Sequence, residues 1–556
     1  MRTTFLLFAC LLCTASAFDD VKGPQDLALT FTSPFDGSAQ PCRLYLPSAY
    51  DGKTALPLLL ALHGTGGDQN KYFDHETYGG GIYKTEAEKR GIIVLCPLGT
   101  DANGLPTEWR GEAEINVLAA IEEVRRRYRI DEERIICTGQ SMGGTGTTYL
   151  CCRYPDLFAA GIPLASTYGH LSLVTNLRHV PMLYVQGAKD WPIYAATGPI
   201  PITQEMQRLG YNGELWMVPD APHNTMHVST PRVLDWALQQ KRVANPGHIT
   251  HRAYFPPHGR AWWAEIQQIE RPGWFAEVDA RVEKGNRVVM QTKNTTRVVL
   301  RPDPALHDLQ KPLIIEMENR EVFRGSCDDN LEVSLSRQDG AWKATVQPRQ
   351  IQSRTDWKNF IIGTVVEPPT WEGGPETTLG NWLTDAMRDI SGADIAICTK
   401  GHYRVGEKMR GHRIAAGQKL YLMDLINWLR PSDAALATFT LKGSDLLKII
   451  ESNLLDGPKD DMFLVQVSGC HYRFDRRRPQ GQRIIETDIQ PGREYKIVCN
   501  SSAITRTDTL HLGDFFGKLK HEMLEPNMLS TAWRFILKNQ GRISAKNEGR
   551  VSEVTN

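Results

Sequence analysis

The stretch that decides the fold is RIICTGQSMG, residues 134–143. The apolar and β-branched side chains within residues 134–138 predict a buried strand, and the residues from Ser141 through Tyr149 predict a helix. The turn between them, residues 139–143, fits the pattern G-x-S-x-G. A nucleophilic serine needs such a sharp strand-to-helix turn, where flanking side chains would crowd the backbone and where the helix N-terminus points N–H groups at developing negative charge. The turn therefore predicts that Ser141 is a nucleophile.

Around this turn, apolar strand-like runs alternate with helical patterns from residue 21 to about residue 243. Residues 115–128 carry apolar side chains at helical spacing and end in basic residues, which suits the helix dipole. Such alternation builds a parallel sheet covered by helices on both faces, so the sequence predicts a doubly wound α/β domain. The strand candidates are residues 56–62, 91–96, 134–138, 160–164, 181–186 and 214–218.

A histidine base must activate the serine, because a hydroxyl group is a poor nucleophile at neutral pH. In a sheet of this kind the acid follows the serine and the histidine follows the acid. His223 fits that order, since it follows the last predicted strand on a proline-flanked loop that could reach back over the sheet. His170 and His179 precede the acid-bearing strand and are interpreted as surface or core histidines. His227 is the reserve candidate.

Two aspartates compete for the acid that would fix the imidazole tautomer and stabilise the imidazolium. Asp190 comes shortly after the strand candidate 181–186, which predicts a carboxylate at the carboxyl edge of the sheet, beside the histidine loop. Asp220 is three residues from His223 on the same loop, where a role in shaping the turn is favoured. The sequence therefore predicts Asp190 as the acid and keeps Asp220 as its rival.

The tetrahedral oxyanion of acyl transfer requires two N–H donors. One is the backbone N–H of Met142, next to the nucleophile. The other is expected from residues 62–67, LHGTGG, a glycine-rich loop at the end of the first strand candidate. We predict Thr65 as this second donor, with Gly64 as the alternative. His63 is interpreted as a structural residue that holds the loop.

Three aromatic residues are candidates for the substrate-binding site. Trp109, Tyr168 and Trp191 could line an aromatic or sugar-stacking pocket, although each fits a packing role equally well. Aromatic side chains serve both purposes, because they bury a large apolar area and also stack. The two roles stay open for each residue.

Five motifs in the first half of the chain carry a family resemblance: LHG at 62–64, YRID at 128–131, RII at 134–136, GQSMGG at 139–144 and GAKD at 187–190. Through them, residues 40–243 resemble the α/β-hydrolase superfamily, in particular its secreted esterases, such as polyhydroxybutyrate depolymerases and feruloyl or acetylxylan esterases. The resemblance implies a carboxylic ester hydrolase that forms an acyl-enzyme on a small or polymeric ester, such as an acylated polysaccharide or a polyester, without a cofactor. Serine peptidases of the prolyl-oligopeptidase type are similar in the same motifs, so peptide cleavage is the alternative.

A second set of motifs lies in the last third of the chain: ETTLGN at 376–381, DAMR at 385–388, ADIA at 393–396, LKGS at 441–444 and QVSG at 466–469. Through them, residues 360–515 resemble the C-terminal domain of 5′-nucleotidases. In that family this domain binds the nucleoside, and a separate domain with two metal ions cleaves phosphate. The metal-binding motifs of the separate domain do not occur in this sequence. Nucleotide catabolism through the C-terminal domain is kept as a further alternative.

The nucleoside-binding positions of that family are altered here. Residues 399–404 read TKGHYR in place of an asparagine and several glycines before an arginine. Ser432 occupies the position of the first base-stacking aromatic, and the second has no counterpart beyond Ile504. Loss of such stacking costs roughly 1–3 kcal/mol per base. With Arg404 interpreted as a solvated surface residue, we expect a non-catalytic scaffold whose ligand is unknown.

Composition limits the function classes. The 556 residues contain 64 Lys plus Arg and 64 Asp plus Glu, so no net positive field attracts nucleic acid or an anionic membrane. Residues 1–17 show the charged, apolar and small-x-small pattern of a signal peptide, which predicts a secreted or periplasmic protein. The remaining chain is predicted to hold an α/β-hydrolase catalytic domain at 18–244, a small β-rich domain at 246–350 and an α+β domain at 360–556.

Cysteine and histidine spacing predicts no metal site. Cys10 and Cys13 lie in the predicted signal peptide, and the odd number of the others leaves at least one without an intramolecular partner. Several of these lie in apolar runs, where a buried thiol is favoured over a disulfide framework. His223 and His227 are four residues apart but lack a third ligand.

Overall fold

The computed structural model describes residues 21–78, 80–100, 104, 107–166, 171–350, 353–371, 374–403, 415–429, 433–456, 458–505, 510–515 and 517–554. The predicted signal peptide, Tyr168, His170, Arg404 and Ser432 lie outside these residues. All nine cysteines within them are buried and none is in a disulfide. No helix within them has the length and apolar character needed to cross a membrane.

The α/β region, residues 25–238, is built on an eight-stranded sheet of the described chain. Its strands are β1 (Gln25–Thr32), β2 (Ala39–Leu46), β3 (Leu56–Leu62), β4 (Ile93–Pro97), β5 (Ile130–Gln140), β6 (Ala160–Leu164), β7 (Met182–Gly187) and β8 (Gly213–Val218). Its helices are α1 (Lys71–Asp74), α2 (Ile82–Arg90), α3 (Glu112–Arg127), α4 (Met142–Arg153), α5 (Pro192–Thr197), α6 (Pro199–Arg208) and α7 (Met226–Leu238). The strand order is β1-β2-β4-β3-β5-β6-β7-β8. The pairs β1–β2 and β2–β4 are antiparallel, and the other neighbouring strands of this sheet are parallel. This mainly parallel sheet with helices between its strands confirms the predicted α/β-hydrolase fold.

The central strand β3 shows why both faces of this sheet are covered. Leu58, Leu60 and Leu62 belong to one apolar cluster, whereas Leu59 and Ala61 belong to another. Successive side chains of a strand point to opposite faces, so a strand that is apolar throughout needs a core on each side. The ends of the strands are left for function, and ligands of such sheets bind beyond the carboxyl ends.

The β-rich region, residues 248–348, consists of two five-stranded sheets in the described chain. Its strands are β9 (His248–Ala253), β10 (Arg260–Ala261), β11 (Ala264–Ile269), β12 (Ala276–Glu283), β13 (Arg287–Lys293), β14 (Thr295–Leu300), β15 (Leu313–Met317), β16 (Arg320–Gly325), β17 (Leu331–Gln338) and β18 (Ala341–Pro348). The orders are β10-β11-β14-β17-β18 and β16-β15-β13-β12-β9. Val278 and Val288 of one sheet share an apolar cluster with Val298 and Val333 of the other, so the two sheets form a sandwich.

The C-terminal region, residues 361–553, mixes helices and strands as predicted. Its strands are β19 (Ile361–Glu367), β20 (Ile395–Thr399), β21 (Lys419–Tyr421), β22 (Ala435–Lys442), β23 (Val465–Ser468), β24 (Tyr472–Phe474), β25 (Ile484–Thr487), β26 (Glu494–Asn500), β27 (His521–Asn527), β28 (Arg542–Ser544) and β29 (Val551–Glu553). Its helices are α8 (Thr378–Ser391), α9 (Leu422–Trp428), α10 (Gly443–Ser452), α11 (Ser502–Thr505) and α12 (Met528–Lys538). The largest described sheet here has the order β23-β20-β26-β22-β27. Thr377 caps α8 by accepting a hydrogen bond from the Gly380 N–H at 3.1 Å.

Buried contacts join the α/β region to the C-terminal region. Arg110 forms an ion pair with Asp433 at 2.8 Å, and the side chains are 3% and 13% exposed. Ile115 of α3 lies in the same apolar cluster as Ile426 of α9. These contacts place the C-terminal region against the segment that precedes α3.

Candidate active site

Ser141 occupies a strained turn between β5 and α4. Its φ is 59° and its ψ is −117°, in a part of conformational space that residues with a Cβ rarely adopt. A Cβ on Gly143 would lie 1.9 Å from the Leu62 carbonyl oxygen, and one on Gly139 would lie 2.5 Å from the same oxygen. Close packing against β3 therefore requires glycine on both sides of the serine. Met142 begins α4, and the first N–H groups of a helix have no acceptor within it.

The loop after β8 brings His223 to Asp190, which follows β7. His223 Nδ1 and Asp190 Oδ2 are 2.8 Å apart. The Asp190 side chain is 1% exposed and that of His223 is 29% exposed. Asp190 also accepts hydrogen bonds from the Trp191 backbone N–H at 2.8 Å and from the Gln186 side chain at 2.5 Å. A carboxylate on Nδ1 holds the tautomer in which Nε2 can accept a proton.

The rival residues make other contacts. The Asp220 side chain is 82% exposed and forms an ion pair with a lysine at 2.9 Å. His227 is exposed on α7, and His179 forms a hydrogen bond with a backbone carbonyl oxygen of β9. Asp190 and Asp220 are both among the described residues, and of these two candidate acids only Asp190 contacts His223.

His63 holds the glycine-rich loop after β3. Its Nε2 accepts a hydrogen bond from the Gly99 N–H at 2.9 Å, so the ring proton lies on Nδ1, which donates to the Gly64 carbonyl oxygen at 2.9 Å. Burial lowers the pKa of His63 to about 4, so the ring is neutral at neutral pH. Gly64 is buried and a Cβ there would lie 3.4 Å from the Ser141 Cβ, whereas Thr65 is exposed. The loop lies beside the serine turn, and both residues stay candidates for the second oxyanion donor.

The aromatic candidates occupy different environments. Trp109 is fully buried, and its Nε1 donates to the His63 carbonyl oxygen at 3.1 Å. Of the two roles left open for Trp109, the structure favours packing, because its buried ring supports the glycine-rich loop from inside the fold. Trp191 is 59% exposed, and its ring centroid lies 5.5 Å from that of His223. Tyr194, which the sequence analysis did not single out, lies at 5.7 Å from the same ring, whereas Tyr168 is outside the described residues.

Polar side chains in the buried strands support the candidate residues and were not predicted. Gln186 of β7 donates to Asp190, and Gln140 of β5 donates to the His223 carbonyl oxygen at 3.1 Å. The Tyr72 hydroxyl accepts from the Gln140 N–H at 3.0 Å and donates to a carbonyl oxygen of β3 at 2.7 Å. The signal for both glutamines was a polar residue at or near the end of a buried run of the strand, since such a side chain needs a partner when buried.

The altered nucleoside-binding segment of the C-terminal region uses its described polar residues for internal contacts. The His402 ring is fully buried, and its Nδ1 accepts a hydrogen bond from the Thr399 N–H at 2.9 Å. Lys400 donates to the Gly374 carbonyl oxygen at 2.5 Å. Ile504 is 6% exposed. Across the described residues, no group of three or more His, Cys, Asp or Glu side chains is arranged to hold a metal ion.

Comparisons with known proteins give two family matches. Residues 37–264 match the family model described as "Putative esterase". Residues 362–509 match the family model described as "5′-nucleotidase, C-terminal domain". The second match covers the segment in which the sequence showed the same resemblance.

Curated relatives of the chain include two esterases. Acetylxylan esterase of Coprinopsis cinerea is 31% identical over 20% of this chain and 31% of its own length. Feruloyl esterase B of Talaromyces funiculosus is 30% identical over 23% of this chain and 37% of its own length. The chain thus spans about a third of the length of these relatives. Among solved structures, an S-formylglutathione hydrolase from Staphylococcus aureus is 18% identical and covers 38% of this chain and 96% of its own, with a TM-score of 0.33. The chain therefore combines a segment similar to esterases at residues 37–264 with a segment similar to the 5′-nucleotidase C-terminal domain at residues 362–509.

Proposed function

We propose that this protein is a serine carboxylic ester hydrolase that acts through Ser141, His223 and Asp190. The observation that carries the proposal is the hydrogen bond between His223 and the buried Asp190 carboxylate, combined with the strained turn that holds the serine. Backbone strain of this kind concentrates at active sites, where the surrounding structure pays for it. The match of residues 37–264 to an esterase family supports the same chemistry.

Hydrolysis proceeds in two steps. Ser141 Oγ attacks the ester carbonyl carbon while His223 Nε2 takes the serine proton, and the Asp190 carboxylate stabilises the imidazolium. The carbonyl oxygen becomes an oxyanion that accepts hydrogen bonds from the N–H group of Met142 and from that of Thr65 or Gly64. His223 then gives its proton to the oxygen of the leaving alcohol as the C–O bond breaks. Water repeats the sequence on the acyl-enzyme and releases the acid and the free serine.

The proposed substrate is an acylated polysaccharide. The relatives that match part of this chain are named as acetylxylan and feruloyl esterases. Trp191 and Tyr194 lie against the His223 ring, and Trp191 is exposed, so a sugar ring or an aromatic acyl group could stack beside the base. No nucleic acid or membrane partner is part of the proposal.

The proposal also includes export and a division into domains. A secreted or periplasmic enzyme meets extracellular polysaccharide, and residues 1–17 are the proposed signal peptide. The proposed domains are 18–244, 246–350 and 360–556. N-terminal sequencing of protein recovered outside expressing cells should give Phe18 as the first residue, and a first residue of Met1 would contradict cleavage.

Ser141→Ala tests the nucleophile. We expect hydrolysis of p-nitrophenyl acetate to fall by at least about 1,000-fold and labelling by a fluorophosphonate probe to disappear, because the variant lacks the hydroxyl group that forms the acyl-enzyme. Ser33→Ala is the matched control, since Ser33 is buried beside the edge strand of the same sheet and should keep both signals. Persistent labelling of Ser141→Ala would refute the assignment.

A substrate panel tests the ester class. The wild-type protein should hydrolyse acetylated xylan or methyl ferulate faster than polyhydroxybutyrate oligomers and should leave chromogenic peptides intact. Cleavage of the peptides alone would overturn the ester proposal in favour of a serine peptidase with the same three residues.

A further inference from the structure

A cavity of about 520 Å³ lies where the three regions of the chain meet. Leu171 and Thr197 line it from the α/β region, Tyr254 from the β-rich region, and Ser502 and Met523 from the C-terminal region. Its volume is in the range of sites that bind small molecules, about 300–1,000 Å³. Because each region supplies one wall, the cavity exists only in the assembled chain.

The lining has apolar walls and a polar group that lacks a partner. Leu171 and Met523 are 48% and 49% exposed, although both are large apolar side chains. Ser502 is 3% exposed, and its hydroxyl has no hydrogen-bond partner in the described part of the chain. A buried hydroxyl group without a partner is costly, and a ligand with hydroxyl groups would supply one.

The charges of the lining favour a neutral ligand. Among the described lining residues there is no lysine or arginine. The two carboxylates are already paired, Asp433 with Arg110 at 2.8 Å and Glu525 with Lys293 at 3.4 Å. Among the described lining residues a phosphate or uronate group would meet no lysine or arginine, so a neutral ligand that presents both hydroxyl groups and apolar C–H faces fits this part of the lining better. Sugar rings have this chemistry.

Helix α5 links the cavity to the candidate active site. Trp191 immediately precedes the helix and lies against His223, and Thr197 is the last residue of the helix and lines the cavity. Six residues of helix span about 9 Å. A substrate that reaches both ends of the helix must be at least about this long, as a chain of linked sugars is and a monomeric acetyl ester is not.

We propose that the cavity is a distal subsite for neutral sugar units of the polysaccharide whose acyl group is cleaved at Ser141. The inference rests on the proposed function and deepens it. The C-terminal region then forms one wall of the substrate site instead of acting as a separate binding module.

Met523→Trp tests the subsite, because a larger side chain at this exposed position narrows the cavity. We expect the ratio of kcat/KM for acetylated xylohexaose to kcat/KM for p-nitrophenyl acetate to fall about tenfold, through a higher KM for the oligosaccharide. Met462→Trp is the matched control, since Met462 is 41% exposed in the same region but is not among the lining residues. The control should keep the wild-type ratio.

The outcomes separate the inference from the proposed function. An unchanged ratio in Met523→Trp, or the same fall in both variants, would overturn the subsite while p-nitrophenyl acetate hydrolysis still supports the esterase. Absence of hydrolysis and of fluorophosphonate labelling in the wild type would overturn the esterase. Titration calorimetry with unacetylated xylohexaose then tests sugar binding in the cavity by itself. Binding that is weakened by Met523→Trp and kept by Met462→Trp supports the subsite. Any other result, including tighter binding of adenosine than of xylohexaose, overturns the subsite.

Discussion

Replacing Asp190 by Asn removes the charge of the carboxylate and keeps its shape. One carboxylate oxygen accepts from His223 Nδ1 and from Gln186, and the other accepts from the Trp191 N–H. An amide nitrogen facing His223 would force the proton onto Nε2, so the ring could not accept the serine proton. In the opposite orientation the Trp191 N–H loses its acceptor, and in both orientations the imidazolium loses its counter-charge.

We expect Asp190→Asn to lower kcat by about 1,000- to 10,000-fold, the effect of a wrong tautomer in a buried acid–base pair. Such a loss corresponds to about 4–5.5 kcal/mol of transition-state stabilisation. Asp220→Asn is the matched control, because its side chain is 82% exposed and its lysine partner is 67% exposed. An exposed pair contributes about 0–1 kcal/mol, so kcat should change by less than about fivefold.

The assay is hydrolysis of p-nitrophenyl acetate, with the rate of fluorophosphonate labelling as a second readout. Melting curves of both variants show whether the fold is kept. Equal losses in the two folded variants, or a larger loss in Asp220→Asn, would refute the assignment of Asp190 as the acid and the reasoning from its contact with His223.

Three further predictions concern folding. Gly143→Ala should lower the melting temperature and kcat, because the added Cβ would lie 1.9 Å from the Leu62 carbonyl oxygen; wild-type values of both would contradict this packing. Burial raises the pKa of Asp424 from 3.8 to about 6, so the folded state binds the proton more tightly than the unfolded state. The free energy of unfolding therefore falls as the pH rises from about 4 through about 6, by at most about 3 kcal/mol. Asp424→Asn should therefore melt higher than the wild type near neutral pH and lose this advantage below about pH 4, and an equal gain at both pH values in thermal melts would argue against the shift. Asp433→Ala should lower the melting temperature, because it removes one of the two carboxylates that pair with the buried Arg110 side chain, at a cost of about 1.5–3 kcal/mol; an unchanged melt would count against a buried ion pair.

The sequence by itself determined the features that depend on neighbouring residues. The serine turn follows from the pattern in residues 139–143, because a strand that passes sharply into a helix needs glycine where side chains would collide with β3. The alternation of strands and helices predicted the doubly wound sheet, since apolar runs of this length need cover on both faces. Short motifs read along the chain also predicted the resemblance of residues 360–515 to the 5′-nucleotidase C-terminal domain, and the family match over residues 362–509 confirmed it.

Only the tertiary structure decided which distant residues meet. Asp190 and Asp220 were both plausible partners of His223, and a hydrogen bond at 2.8 Å to one and exposure of the other separate them. Trp109 has an aromatic ring that could stack on a substrate, but this ring is buried under the glycine-rich loop. The cavity between the three regions had no sequence signal, because its walls come from segments that are far apart in the chain and become neighbours only when the regions pack.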